Sequence, residues 1–231
     1  MIHGKKKAVT FSYDDGVYQD IRLIQMLDRY GLKATFNLNS QLYGEKGEDI
    51  RRGAYIRADR LEKKDIKKVY ANHEVAAHTL THPNLTEVSE AEIVRQVEED
   101  RKNLENLLER EIVGLAYPGG GINYNSHVAG VIRQQCHVQY ARTTVTTDSF
   151  SRQENLYEFK PNVYHTMEPE RLMELGRQFL ETDVDEDSIL YIWGHSFELD
   201  IRNAWSVIEE FFRLISRKDD IYYGTNRDVL L

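Results

Sequence analysis

The chain has 231 residues, 41% hydrophobic and 29% charged, a composition that suits one domain with a substantial core. Its formal charge of −8, with acidic and basic residues interspersed, excludes nucleic acid as the main partner, because phosphate binding needs concentrated Lys and Arg. No run of about 18 apolar residues is available to span a membrane, and the single cysteine, Cys136, excludes an intrachain disulfide. Such a surface suits neutral or amino-bearing substrates.

In chain order, the N-terminal lysines Lys5, Lys6 and Lys7 run directly into an apolar stretch. That stretch breaks at residues 12–15 and is too short and polar for a signal peptide, so a cytoplasmic protein is expected. Residues 8–11 read as a strand ending at the acidic pair Asp14-Asp15. The helical spacing of Ile21, Ile24 and Leu27 predicts a helix over 17–30, stopped at Gly31. A strand over 34–38 follows, then a helix over 61–70, with His73 expected as a solvent-exposed residue at its end. The run 74–77 is strand-like and ends at His78. Ser89 with Glu92 three residues on predicts a capping box, opening a helix that carries Ile93, Val97, Leu104 and Leu108.

The alternation continues with a strand over 113–116, a helix over 126–135 and a strand over 138–141. A helix over 169–180 precedes a strand over 189–193, and the last clear helix carries Trp205, Ile208, Phe212 and Ile215. With no Pro/Ser-rich linker, repeat or low-complexity tract, residues 1–231 read as a single domain built on a parallel sheet. Polar chemistry falls where several different strands end: Asp14-Asp15, His78, Pro118-Gly119 and His195. A ring of such ends predicts a (β/α) barrel, since an open sheet would gather its chemistry at one switch point.

Asp14-Asp15 also suits a helix N-cap region, where acidic residues favour the dipole. His78-Thr79-Leu80-Thr81-His82 places two histidines four residues apart, within reach of one metal, and Pro83 puts the pair on a loop. Two imidazoles and one carboxylate form a standard catalytic zinc set. His195, directly after an apolar strand, reads on its own first as a satisfied core histidine and only second as a site residue. Ser196 beside it lacks a G-x-S-x-G elbow, which argues against a serine hydrolase.

Four segments together resemble the NodB-homology polysaccharide deacetylases. Thr10-Phe11-Ser12-Tyr13-Asp14-Asp15-Gly16 is similar to a T-F-D-D-G motif with two extra positions. His78 to His82 matches H-[ST]-x-x-H, Tyr117-Pro118-Gly119-Gly120 resembles the segment around R-x-P-x-G, and Ile192-Trp193-Gly194-His195 resembles L-x-x-H. They fall in family order and span almost the whole chain. The resemblance implies a distorted barrel of about seven strands and a carbohydrate deacetylase. It implies one divalent ion, zinc first with cobalt or nickel as alternatives, on Asp15, His78 and His82. Asp14 would then be the general base, His195 the general acid, and the backbone N–H near Gly119, beside Pro118, an oxyanion donor. Two departures stand out. Ala116 occupies the motif arginine's place, for which Arg142 is the candidate substitute, and no D-x-x-D-W segment is present to tune His195. The substrate expected is an N-acetylated amino sugar or polysaccharide. The alternatives are an O-acetyl (xylan-type) esterase, a metal-independent amidohydrolase on a related barrel, and a non-catalytic carbohydrate-binding protein.

Overall fold

The computed structural model describes residues 1–51, 54–166, 169–183 and 186–231. Strand β1 (Lys7–Asp14) leads into α1 (Gln19–Tyr30) and β2 (Ala34–Leu38). A small hairpin, β3 (Glu48–Arg51) and β4 (Ala54–Arg57), precedes α2 (Lys63–Val69) and β5 (Glu74–Ala77). Then come α3 (Glu90–Leu108), β6 (Gly114–Ala116), α4 (Ser126–Gln135), β7 (Tyr140–Arg142) and the short β8 (Val163–Tyr164). The chain finishes with α5 (Pro169–Glu181), β9 (Ser188–Gly194), α6 (Phe197–Ile201), α7 (Trp205–Ile215), β10 (Ile221–Tyr223) and α8 (Asn226–Leu230).

Among the described residues, seven parallel strands lie in the order β7-β6-β5-β2-β1-β9-β8, and β10 pairs with the first half of β1. The two ends of this path are linked. Phe159 N–H donates to Ala141 O at 3.0 Å and Thr143 N–H donates to Phe159 O at 2.9 Å, while Val163 pairs with Ile192 on β9. The sheet therefore curls into the distorted (β/α) barrel expected from the sequence, wrapped by helices as parallel strands require.

Side-chain alternation along β1 decides what enters the lumen. Val9, Phe11 and Tyr13 join the apolar cluster beneath the helices, with Leu23 and Leu27 of α1 and Phe211 and Phe212 of α7. Ala8 belongs to a second cluster with Tyr140, Phe159, Ile189, Tyr191 and Trp193, which fills the barrel. Thr10, Ser12 and Asp14 share the face of Ala8. The strand continues past the expected 8–11 to Asp14, pairing Ser12 with both Thr35 and Trp193. The two extra positions are thus one pleat period, so Asp14 keeps the lumen face; a single inserted residue would have reversed it.

Opposite the strand ends, α8 plugs the barrel. Val229 and Leu230 join the lumen cluster, and Asn226 Nδ2 and N–H donate to Tyr191 and Thr35 while its Oδ1 accepts from Thr10. Two local expectations change. Ser89 Oγ accepts from Glu92 N–H at 3.3 Å, but the Glu92 carboxylate is taken by Arg95 and Gln96, so only half of the capping box forms. His73 is buried, not solvent-exposed: its Nδ1 accepts from Ala34 N–H and its ring packs edge-on against Phe36. Burial holds its pKa down at about 4.

Candidate active site

Asp15, His78 and His82 come together at the strand ends, each offering one ligand atom with all three atoms within 4.8 Å of one another. Asp15 follows β1 with φ 83°, stabilised by its N–H donating to Asn37 O at 3.0 Å. Gly16 makes this turn possible: it too has positive φ, and a Cβ there would lie 2.7 Å from Leu38 Cδ2. The His78–His82 segment is a loop, with Thr79 and His82 in the left-handed region, and this bend sets the two rings 4.9 Å apart. The acidic pair does not cap α1, whose N-cap is Tyr18.

The donor set fits a divalent ion. His78 Nδ1 lies 2.8 Å from Ala116 O, and a carbonyl can only accept, so Nδ1 carries the proton and Nε2 a lone pair. His82 Nε2 accepts from Gly119 N–H at 3.3 Å and lies 3.9 Å from Asp15 Oδ1, so it too is unprotonated, and its one lone pair would be free for an ion once that N–H moves aside. Burial pushes the His78 pKa down to about 4, which keeps it neutral. Burial alone would raise the Asp15 pKa, but His195, Arg60 and the two histidines outweigh it and hold the carboxyl well below the usual range. No motif or spacing in the chain singles out Arg60. Its guanidinium donates to Asp15 Oδ1 at 2.9 Å and also to the Asp15 carbonyl oxygen. Behind His78, Asp100 accepts from the His78 and Ser40 N–H groups, fixing the ligand loop to α3.

Asp14 sits beside this cluster, fully buried, and faces Arg142. Arg142 Nη2 lies 2.7 and 2.6 Å from the two carboxylate oxygens, and Asn37 Nδ2 donates to Oδ1 at 2.7 Å. Arg142 is itself completely buried, with its guanidinium 4.5 Å from the Trp193 ring centroid. Burial of Asp14 opposes ionisation, yet Arg142, His78 and His195 together lower its pKa.

His195 closes the site from β9, its Nε2 3.7 Å from Asp15 Oδ2 and 4.0 Å from Asp14 Oδ2. Its other nitrogen is backed by a carboxylate that the sequence reading missed. Tyr164 OH lies 3.0 Å from His195 Nδ1 and donates to Glu198, whose Oε1 is 3.7 Å from that same nitrogen. Thr166 donates to Glu198 Oε2 at 2.6 Å. Desolvation would lower the His195 pKa, but Glu198, Asp15 and Asp14 carry it up to about 9. The Glu198 carboxyl, despite burial, is held down at about 2 by His195 and its hydroxyl donors. Gly194 precedes His195 because the His165 ring packs against it: a Cβ there would fall 2.0 Å from that ring. Spacing could have suggested Glu198, three residues after His195; nothing local points to Tyr164.

Pro118 and Gly119 lie at the rim of the same site. Asn123 Nδ2 donates to the carbonyls of Tyr117, Pro118 and Gly119 and holds this loop, leaving the Gly119 N–H aimed at His82. All the residues expected from the sequence therefore meet at one end of the barrel. The other histidines differ: His165 is buried behind His195, while His127 and His137 pair with Glu90 and Glu98 at the surface.

A distorted (β/α) barrel with histidine and carboxylate side chains gathered at its strand ends defines the class of protein. The polysaccharide deacetylase family model matches residues 2–137, more than half of the chain, and the chain belongs to that family. Solved structures share the fold at low identity. A Streptococcus pyogenes deacetylase, PplD, in complex with acetate is 22% identical, with 74% of this chain and 71% of that one covered and a TM-score of 0.59. A Mycobacterium smegmatis protein carrying the polysaccharide deacetylase name is 17% identical over 98% of this chain and 90% of that one, with a TM-score of 0.69. BA3943 of Bacillus anthracis, a pseudoenzyme of the same family, is 16% identical over 98% of this chain and 66% of its own length, with a TM-score of 0.56. None of the curated protein sequences matches the chain. Among the described residues, no helix is long and apolar enough to cross a membrane.

Proposed function

We propose that this chain is a metal-dependent hydrolase that removes acetyl groups from an N-acetylated amino sugar or its polymer. The observation that carries the reading is the donor triad of Asp15, His78 and His82 within 4.8 Å, flanked by Asp14 on one side and His195 on the other. A divalent ion on that triad supplies Lewis-acid chemistry, polarising an acetyl carbonyl and acidifying water. Asp14 accepts the proton of the attacking water, its carboxylate oriented by Arg142 and Asn37. The Gly119 N–H, released from His82 where an ion takes that nitrogen's lone pair, donates to the developing oxyanion.

Collapse of the tetrahedral species breaks the C–N bond, and an amide anion is far too basic to leave. His195, held as the cation by Glu198, protonates the departing nitrogen. One proton thus enters at Asp14 and one leaves from His195, and the products are acetate and the free amine. Family members such as BA3943 show that this fold also occurs without activity, so the reading rests on the residue set and not on the barrel.

The test is metal content with turnover. Protein dialysed against zinc should carry about one ion per chain. Chelation should abolish hydrolysis of an N-acetylated oligosaccharide, and zinc or cobalt should restore it. His78→Ala should lose the ion and the activity together. Full turnover by metal-free protein would overturn the reading.

A further inference from the structure

The two segments that carry the triad each hold a non-glycine residue in the left-handed region beside a ligand: Asp15 itself at φ 83°, and Thr79, next to His78, at φ 68°. Such backbone is disfavoured for any side chain, and most for a β-branched one such as Thr79, so it persists only where neighbours hold it. The carbonyl oxygens of both residues are held by one connected pair of side chains. Arg60 Nη1 donates to Asp15 O and, at 2.8 Å, to Asn39 Oδ1, while its Nη2 donates to Asp15 Oδ1 at 2.9 Å. Asn39 Nδ2 in turn donates to Thr79 O at 2.8 Å and to His78 O.

The Asn39 amide has a single workable orientation. Its nitrogen meets two carbonyls, which only accept, and its oxygen meets a guanidinium, which only donates. Asn39 is buried, and both of its amide hydrogens and its oxygen are used. The backbones run alongside as well. Leu61 N–H donates to Gly16 O at 2.8 Å, which sets residue 60 against the Asp15-Gly16 turn, and Arg60 N–H donates to Glu45 O at 2.9 Å. Asn39 directly follows β2, and Gln41 N–H donates to Leu80 O at 3.3 Å, which sets residue 39 against the His78–His82 loop. Neither residue lies in a segment that supplies a ligand, yet together they join the carboxylate turn to the histidine loop.

We infer that Arg60 and Asn39 are positioning residues, a two-part clamp that holds the Asp15 turn and the His78 loop in ligating register before an ion arrives. This rests on the reading of Asp15, His78 and His82 as the ion site. Two effects of Arg60 on a divalent ion have opposite sign. Its charge repels the ion, whereas its planar fork fixes the carboxylate and, through Asn39, the histidine loop. Loss of the fork frees two strained turns at once, so positioning outweighs repulsion and the clamp raises affinity.

The test is zinc affinity, measured by competition with a chromophoric chelator on variants whose melting temperature shows them folded. Arg60→Met and Asn39→Ala should each weaken zinc by roughly 10- to 100-fold, the range for partners that orient a metal ligand. The double variant should lose little more than either single one, because the pair acts as a unit. Arg60→Lys keeps the charge without the fork and should weaken zinc too; it carries the comparison where Arg60→Met does not fold. In metal-free protein, amide exchange at His78 and Leu80 should quicken in the variants relative to the strands. Unchanged or tighter zinc binding in folded Arg60→Met or Asn39→Ala, parent-like affinity in Arg60→Lys, or fully additive losses would overturn the clamp. A parent protein that takes no zinc would remove the ion reading instead. The metal-free exchange then decides the clamp, and unchanged exchange at His78 and Leu80 would overturn it.

Discussion

Arg142, at the end of β7, places Nη2 within 2.7 Å of both carboxylate oxygens of Asp14, at the end of β1, although three strands separate the two in the sheet. Both groups are buried, so this is an ion pair whose separate halves are costly. It supplies Asp14 with a cation from position 142, as expected of the candidate substitute for the motif arginine that Ala116 replaces. A guanidinium from another strand can do this because Arg142 shares the lumen with Asp14 and rests on Trp193.

Arg142→Met should therefore act on both stability and pH profile. Removing the cation leaves Asp14 as an uncompensated buried charge, expected to cost about 3–5 kcal/mol. Arg142 lowers the Asp14 pKa, so its loss raises that pKa and moves the acidic limb of kcat/KM to higher pH. Denaturant unfolding and a pH–rate profile of the metal-loaded variant would measure the two effects. An unchanged profile in a folded variant would separate Asp14 from proton transfer.

Glu198 tunes the opposite side. With its carboxylate present, His195 stays protonated up to about pH 9. Glu198→Gln keeps the shape and removes the charge, so the His195 pKa falls and the alkaline limb of activity moves to lower pH. The acidic limb, set by Asp14, should move much less. Tyr164→Phe should shift the alkaline limb in the same direction by a smaller amount, since it removes a hydrogen bond but no charge.

Leaving groups distinguish an acid from a structural histidine at position 195. His195→Ala should slow hydrolysis of an N-acetyl sugar by roughly 10²- to 10⁴-fold. An activated aryl acetate expels a phenolate that needs no proton, so its loss should be much smaller. Comparable losses on both substrates, in folded and metal-replete protein, would end the acid assignment.

Asp20 predicts an unusual pH dependence of folding. Its carboxyl is fully buried, accepts hydrogen bonds from the Tyr70 and Ser196 hydroxyls, and has its pKa raised by desolvation to about 7 from an ordinary 3.8. The folded state thus binds this proton more tightly than the unfolded state. The stability it contributes is fully present below about pH 4 and is lost as pH rises to 7. Asp20→Asn should remove that share of the decline, on the order of a few kcal/mol. Asp100, likewise raised to about 7 by desolvation, retains its own share. Unfolding free energies at pH 4, 5.5 and 7 for parent and variant would test it.

The sequence by itself determined which residues are the candidates for chemistry in this barrel. Asp14-Asp15, the His78–His82 spacing and His195 are short-range patterns, and short-range patterns survive in any fold that puts strand ends together. The alternation of elements likewise sufficed for the barrel, because strand and helix periods are local properties of the chain. Residues whose roles depend on distant partners were another matter. Arg142 was a candidate only through a missing motif arginine, and its contact with Asp14 required the lumen register of β1 and β7. Arg60 and Tyr164 became recognisable only once Asp15 and His195 had positions in space, whereas Glu198 lies three residues after His195. His73 shows the same division: at a helix end it reads as solvated, but the packing of Phe36 and the N–H of Ala34 bury it. The candidate ligand set is written in local spacing, whereas the charges that set each member's protonation come from strands remote in sequence, which only closure of the sheet brings within a few ångströms.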